Sequence, residues 1–181
     1  MIGIDDYQDE RFNLSGCISD VLSMSKLLEF NDNGERNFSI LKLVDSCATK
    51  SKIKKSIEKV FDEETDVGLF YFSGHGFDDE TDGKIVTYDY STCDYGLSFD
   101  ELIKLISSQK ARNKIIILDC CYSGRAGNNN AIGDMAVIPE GVTILTSCKS
   151  KQTSQEINGH GLFTNLLIDA ISGGAADIMG F

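Results

Sequence analysis

Residues 114–124 read KIIILDCCYSG, an apolar run of four branched side chains that leads directly into two thiols. A continuous apolar run without polar alternation is typical of a parallel strand that is covered on both faces. Open α/β sheets bind their ligands at the carboxyl ends of such strands. Cys120 and Cys121 are therefore predicted to lie at the functional edge of a buried sheet.

A second apolar run, VGLFYF at residues 67–72, ends in the same way and is followed by SGHG at residues 73–76. A thiol is nucleophilic as the thiolate, so near neutral pH it needs a neighbouring base. The two histidines of the chain are His75 and His160. His75 is the favoured base because it directly follows a strand, whereas a solvated position just before a helix that begins near Leu162 explains His160.

These two motifs resemble those of the caspase-like (clan CD, peptidase C14) cysteine peptidases, above all metacaspases and their bacterial caspase-like relatives. The signatures are YFSGHG at residues 71–76 and DCCYSG at residues 119–124, in the order that the family has them. Further matching stretches lie at residues 3–7, 14–20 and 159–164. The resemblance implies a three-layer α/β/α sandwich with a mainly parallel sheet, built by residues 1–181 as a single domain.

The resemblance also implies roles for individual residues. The nucleophile carries over to Cys121 and the general base to His75, which leaves Cys120 as a structural neighbour. The backbone amides of Gly76 and Cys121 would form the oxyanion hole, aimed at the charge that develops on the tetrahedral intermediate.

Asp20 and Asp119 match the two acidic residues that metacaspases place under their primary specificity pocket. A cationic side chain compensates two converging carboxylates, and a guanidinium can bridge both. We therefore expect protein or peptide substrates with Arg or Lys before the cut. The simpler interpretations are a solvated helix position for Asp20 and a polar strand end for Asp119.

Two other functions stay open at this point. The same dyad could serve an Asp-specific caspase-type peptidase, although that activity requires a basic pocket. A catalytically silent caspase-like scaffold or regulatory module would share the fold without the reaction.

The composition fits one soluble domain. The chain has 181 residues, of which 41% are hydrophobic and 25% charged, and no apolar stretch is long enough to predict a membrane span. A net charge of -11 argues against a nucleic-acid partner and is compatible either with basic substrates or with plain solubility. The six cysteines lack disulfide or zinc spacing, which predicts a reducing, cytoplasmic location and, apart from Cys121, buried thiols.

The acidic stretch after His75 is a candidate metal site. Six residues fall on the positions of a calcium-loop pattern, namely Asp78, Glu80, Asp82, Gly83, Ile85 and Asp89. Calcium activates some metacaspases, but the last position here holds Asp instead of Glu, and the flanks are predicted as strand rather than helix. We therefore predict a solvated acidic loop, with no metal and no other cofactor.

Hydrophobic periodicity and capping signals predict the remaining elements. Helices are expected from residue 18 to about 30, over 50–61, after a capping box at Ser98 and Glu101, and from near 162 to a stop at 173. Strands are expected at 1–4, 38–44, 67–72, 114–118 and 142–147, with a short hairpin strand at 85–90.

A Gly- and Asn-rich loop at residues 123–135 is predicted to join a large-subunit-like part, about 1–125, to a small-subunit-like part, about 137–181. Such loops are preferred nicking sites, so Arg125, Lys149 and Lys151 are possible processing sites, with an ordinary surface loop as the alternative. The family's sixth strand has no counterpart after the last helix. We expect a partner chain, or the remainder of a longer polypeptide, to complete that sheet edge.

Overall fold

The computed structural model describes residues 1–61, 65–78, 83–120, 138–147, 156–157 and 160–174. Its strands are β1 (Ile2–Gly3), β2 (Leu43–Val44), β3 (Val67–Ser73), β4 (Gly76–Asp78), β5 (Gly83–Ser91), β6 (Asp94–Ser98), β7 (Asn113–Asp119), β8 (Val142–Thr146), β9 (Glu156–Ile157) and β10 (His160–Gly161). Its helices are α1 (Cys17–Glu29), α2 (Lys50–Phe61), α3 (Phe99–Ser107) and α4 (Leu162–Asp169), which continues as a π-helical turn over Ala170–Gly174. Single turns of 3₁₀-helix lie at Glu10–Phe12 and Asp45–Cys47.

The central sheet contains five parallel strands in the order β2, β1, β3, β7, β8. Successive side chains of β3 face opposite layers: Phe70 and Phe72 pack in a cluster with α2 and α3, whereas Tyr71 packs with α1 and α4. In β7, Ile116 and Ile117 divide in the same way. The predicted three-layer sandwich is thus confirmed, and the unbroken apolar runs follow from burial on both faces.

The predicted helices form where the apolar spacing places them. Ile53, Ile57 and Phe61 make one buried stripe of α2, and each such burial contributes about 1.5–3 kcal/mol. At the start of α3 the Ser98 hydroxyl accepts a 3.1 Å hydrogen bond from the Glu101 amide, as the capping box predicts.

The second strand is much shorter than predicted. Residues 38–44 are apolar enough for a full strand, yet only Leu43–Val44 pairs with the two-residue strand β1. The upstream backbone is held instead by α1, since the amide of Phe38 donates to the Leu28 carbonyl at 3.2 Å. The length of the neighbouring strand therefore limits β2, which the hydrophobic pattern alone does not reveal.

Between β3 and α3 in the sequence, the chain forms a separate antiparallel sheet of three strands in the order β4, β5, β6. The sequence predicted one strand there, and the flanking strands were missed because their Gly and Asp residues give a weak strand pattern. Gly96 is needed in β6: its φ is +142°, and an added Cβ would meet the Ile85 carbonyl oxygen at 2.2 Å. Phe77 and Tyr95 stack across this sheet with ring centroids 3.9 Å apart.

The cysteine prediction is partly wrong. Cys17 and Cys120 are buried, but Cys47 and Cys93 are exposed. Cys47 ends a surface 3₁₀ turn and Cys93 lies in the turn between β5 and β6, so neither side chain can reach the core. Cys121 and Cys148 lie outside the described residues.

The described helices include none that is long and apolar enough to cross a membrane. Within the described ranges the sheet ends at β8, whose neighbour is β7. The predicted connecting loop at residues 123–135 lies outside them.

Candidate active site

His75 lies between the end of β3 and the start of β4, and its backbone is fixed on both sides. Its amide donates a 2.8 Å hydrogen bond to the Tyr7 hydroxyl oxygen, and its carbonyl accepts from the Val86 amide at 2.9 Å. The imidazole packs against the ring of Tyr7, at a centroid distance of 5.0 Å, and edge-on to Phe12, at 6.2 Å. Side chains from the segment after β1 therefore hold the catalytic candidate His75, which follows β3.

One nitrogen of the His75 ring forms a hydrogen bond within the protein. Nε2 lies 2.8 Å from the carbonyl oxygen of Phe12. A carbonyl only accepts, so Nε2 carries the hydrogen, and in the neutral ring Nδ1 is the atom with a free lone pair. The geometry assigns Nδ1 as the basic atom of His75.

Burial lowers the pKa of His75 from the ordinary value of 6.5, and the hydrogen bond to Phe12 opposes this shift only in part. Burial also raises the pKa of the Tyr7 hydroxyl that supports it, so this group stays a neutral phenol. His75 is thus predominantly neutral, and able to accept a proton, near pH 7.

We expect His75 to titrate with a midpoint below 6.5. Because a protonated imidazole cannot accept a proton, activity should fall only as the pH drops through this lowered value. The measurement is an NMR titration of the double variant Cys121→Ala, His160→Gln, which leaves a single imidazole and removes any coupling to the Cys121 thiol. A midpoint at or above 6.5 would contradict the assignment of His75 as a buried neutral base.

Asp20 and Asp119 come together at the start of α4. Asp20 lies in the first turn of α1 and is 1% exposed, whereas Asp119 ends β7 and is half-buried. A Cβ added to Gly161 would lie 2.7 Å from Asp119 Oδ2 and 3.1 Å from Asp20 Oδ2. Gly161 therefore sits against both carboxylates, and the interpretation of Asp20 as a solvated helix residue is wrong.

Neutral groups donate to these carboxylates. The Gly161 amide lies 3.3 Å from both oxygens of Asp20, and the Ser73 hydroxyl donates to Asp20 Oδ2 at 3.2 Å. The Thr164 hydroxyl donates to Asp119 Oδ2 at 2.6 Å. Sequence reasoning found both aspartates but assigned no role to Ser73, Gly161 or Thr164, whose only signal was that each lies within one of the matching stretches.

The helix that carries Asp20, α1, is anchored at its start by the carboxylate of Asp5. Gly16, the N-cap residue, has no side chain to cap α1. Asp5 takes this role, accepting hydrogen bonds from the Cys17 amide at 2.8 Å and the Ile18 amide at 3.2 Å. A carboxylate at a helix N-terminus is favourable for both its hydrogen bonds and its charge.

Strand register relates the two motifs. β3 and β7 are parallel neighbours whose last paired residues are Ser73 and Asp119, and the Gly74 amide donates to the Asp119 carbonyl at 3.2 Å. His75 and Cys121 are each two residues beyond this last pair. Neighbouring strands lie about 4.8 Å apart, so β3 and β7 end close together at the same edge of the sheet.

The remaining site predictions fall partly outside the described residues, which exclude Cys121, Arg125, Lys149 and Lys151. Gly76 is buried and begins β4 opposite Ile85. His160 lies in β10 and its backbone pairs with Ile157 of β9, and the His160 side chain is not among those described. Cys120 is 2% exposed and packs in the core, as expected of a structural neighbour.

The acidic stretch is described only in part, because residues 79–82 are outside the described ranges. Asp89, its last predicted calcium-loop position, accepts hydrogen bonds from the Lys50 amide at 2.8 Å and the Thr87 hydroxyl at 2.9 Å. It therefore supports the start of α2. Among the described residues no three His, Cys, Asp or Glu side chains form a group that could hold a metal ion, and the prediction of a solvated loop stays a prediction.

Comparisons with known proteins agree with this architecture. A family model described as the caspase domain (peptidase C14) matches residues 1–179. A search of curated proteins found no match. The crystal structure of protein GSU0716 from Geobacter sulfurreducens is similar in fold, with a TM-score of 0.71 over 96% of this chain and 80% of that chain, at 20% sequence identity.

Proposed function

Because the chain belongs to the caspase-domain (peptidase C14) family, we propose that it is a cysteine endopeptidase that uses Cys121 and His75 to cleave after Arg or Lys. The observation that carries the proposal is the register of β3 and β7, whose last pair is Ser73 and Asp119, so that both strands end at one edge of the sheet and the two motifs follow them in the sequence. Nucleophilic catalysis by a thiol requires a base within reach of it, and motifs that follow neighbouring strands can supply the two groups.

The proposed reaction follows from the proton arrangement at His75. Nδ1 accepts the proton of the Cys121 thiol, and the resulting thiolate attacks the scissile carbonyl. The amides of Gly76 and Cys121 are proposed to receive the oxyanion. The imidazolium then returns its proton to the leaving amine, and a water activated by His75 hydrolyses the acyl-enzyme. The Phe12 carbonyl stabilises the imidazolium through its bond from Nε2.

The convergence of Asp20 and Asp119 on Gly161 supports a basic residue before the cut. A pocket with two acidic groups attracts Arg or Lys and repels Asp. Asp119 is half-buried and Asp20 almost fully buried, so we propose that Asp119 contacts the substrate cation while Asp20 acts mainly through the charge of the pocket.

A panel of fluorogenic peptides tests this function. The peptides are identical except for Arg, Lys, citrulline or Asp before the cut, where citrulline is the neutral analogue of Arg. We expect kcat/KM for Arg to exceed that for citrulline by about 10²-fold, because a hydrogen bond to a charged group is worth about 1.5–3 kcal/mol. Efficient cleavage after Asp would favour the caspase-type alternative. Failure to cleave any peptide or to react with an electrophilic peptide would favour the silent scaffold.

A further inference from the structure

Thr164 connects the predicted specificity pocket to the sheet beneath α4. Its side chain is completely buried, with 0% exposure. Its hydroxyl lies 2.6 Å from Asp119 Oδ2 on one side and 2.6 Å from the Tyr71 hydroxyl on the other. Three polar groups from β3, α4 and β7 thus form one chain of hydrogen bonds.

The direction of these hydrogen bonds follows from their chemistry. An ionised carboxylate only accepts, so the single hydroxyl hydrogen of Thr164 is used for Asp119. Tyr71 must therefore donate its own hydroxyl hydrogen to Thr164. Burial raises the pKa of Tyr71 well above its ordinary value, so this phenol keeps its proton.

We propose that Thr164 is a specificity-determining positioning residue, which Tyr71 orients and which fixes the Asp119 carboxylate for a cationic substrate side chain. This inference rests on the proposed function. Thr164 fastens Oδ2, while Oδ1 receives no hydrogen bond from the described residues and is the acceptor left for a guanidinium or ammonium group. A carboxylate fixed in advance binds its partner with less loss of side-chain entropy than a freely rotating one.

Gly161 completes this arrangement from the same segment. Its φ of -62° and ψ of 134° suit any residue, so the backbone does not require glycine. The contact with Asp119 does, because a Cβ would lie 2.7 Å from Oδ2. The start of α4 therefore supports both carboxylates, through the Gly161 amide on Asp20 and the Thr164 hydroxyl on Asp119.

The test compares hydrolysis of the arginyl and citrullyl peptides by Thr164→Val, which keeps the shape of threonine and removes its hydroxyl. We expect the Arg/citrulline ratio of kcat/KM to fall about tenfold or more, mainly through KM for the arginyl peptide. Thr164→Ser should restore most of the ratio. Thr143→Val, on an exposed position of β8, is the matched control and should leave the ratio unchanged.

The outcomes separate the inference from the proposed function. An unmodified enzyme that does not prefer Arg over citrulline overturns the proposed function and this inference with it. An enzyme that prefers Arg, but keeps its ratio in Thr164→Val, overturns the inference alone, as does an equal loss in Thr164→Ser. If Thr164→Val fails to fold, Tyr71→Phe is the deciding variant. An Arg/citrulline ratio that falls severalfold supports the inference that Tyr71 and Thr164 position Asp119, and an unchanged ratio overturns it.

Discussion

Cys121→Ala is expected to abolish peptide hydrolysis and labelling by an electrophilic peptide, with kcat/KM falling roughly 10⁴-fold or more, as when other hydrolases lose their nucleophile. The physical reason is that the proposed acyl-enzyme forms on the Cys121 thiol. Cys120 is the nearest alternative thiol in the sequence, but it is 2% exposed and packs in the core. The matched control is therefore Cys120→Ala, which should retain most labelling.

His75→Ala is the second half of this test. Removing a general base typically costs about 10²–10⁴-fold, and here it also removes the group that returns a proton to the leaving amine. His160→Ala is the control for loss of an imidazole and should have little effect on turnover. Labelling retained in Cys121→Ala but lost in Cys120→Ala would move the nucleophile to Cys120, and the reverse result for the two histidines would move the base to His160.

The fold was largely predictable because its signals are local. The stripe of Ile53, Ile57 and Phe61 predicts a helix whose expected bounds, 50–61, are those of α2, and the apolar run after Asn113 predicts the central strand. The hydrophobic pattern did not predict the strands whose length or existence depends on pairing with a neighbouring strand. β2 has only two residues because β1 has only two, and β4 and β6 form because β5 lies between them.

The site was predictable only at the level of motifs. His75, Asp20 and Asp119 each belong to a short signature, but the contacts that define their chemistry come from distant segments. The Phe12 carbonyl selects the tautomer of His75 across 63 residues of sequence. Gly161 approaches Asp20 across 141 residues. Neither a backbone carbonyl nor a glycine amide carries a residue-type signal that sequence reasoning could detect.

Asp119→Asn is expected to lower kcat/KM for the arginyl peptide by about 10²-fold and to change the citrullyl peptide little. The amide is nearly isosteric with the carboxylate and can still present its oxygen to the Thr164 hydroxyl. Its NH₂ group would then face the substrate cation, so that a donor replaces an acceptor and the charge is lost. The Arg/citrulline ratio of the variant should therefore approach one.

Asp20→Asn distinguishes pocket charge from direct contact. Both oxygens of Asp20 lie 3.3 Å from the Gly161 amide, and Ser73 donates to Oδ2. An asparagine with its oxygen at the Oδ2 position can accept from both donors, but its NH₂ group at the Oδ1 position then lies about 3.3 Å from the Gly161 amide, which leaves two donors facing each other at a cost of about 1–3 kcal/mol. We expect Asp20→Asn to lower the urea midpoint of unfolding as well as cleavage after Arg, whereas Asp119→Asn should affect mainly cleavage.

The paired measurement also tests which aspartate binds the substrate. If Asp20→Asn loses Arg preference without losing stability, while Asp119→Asn retains it, the roles of the two residues are reversed. If both variants keep the Arg/citrulline ratio of the unmodified enzyme, the two-carboxylate pocket is wrong, since removing one of two charges beside a bound cation must weaken its binding. The buried position of Asp20 and the half-buried position of Asp119 lead us to expect the larger loss of specificity from Asp119.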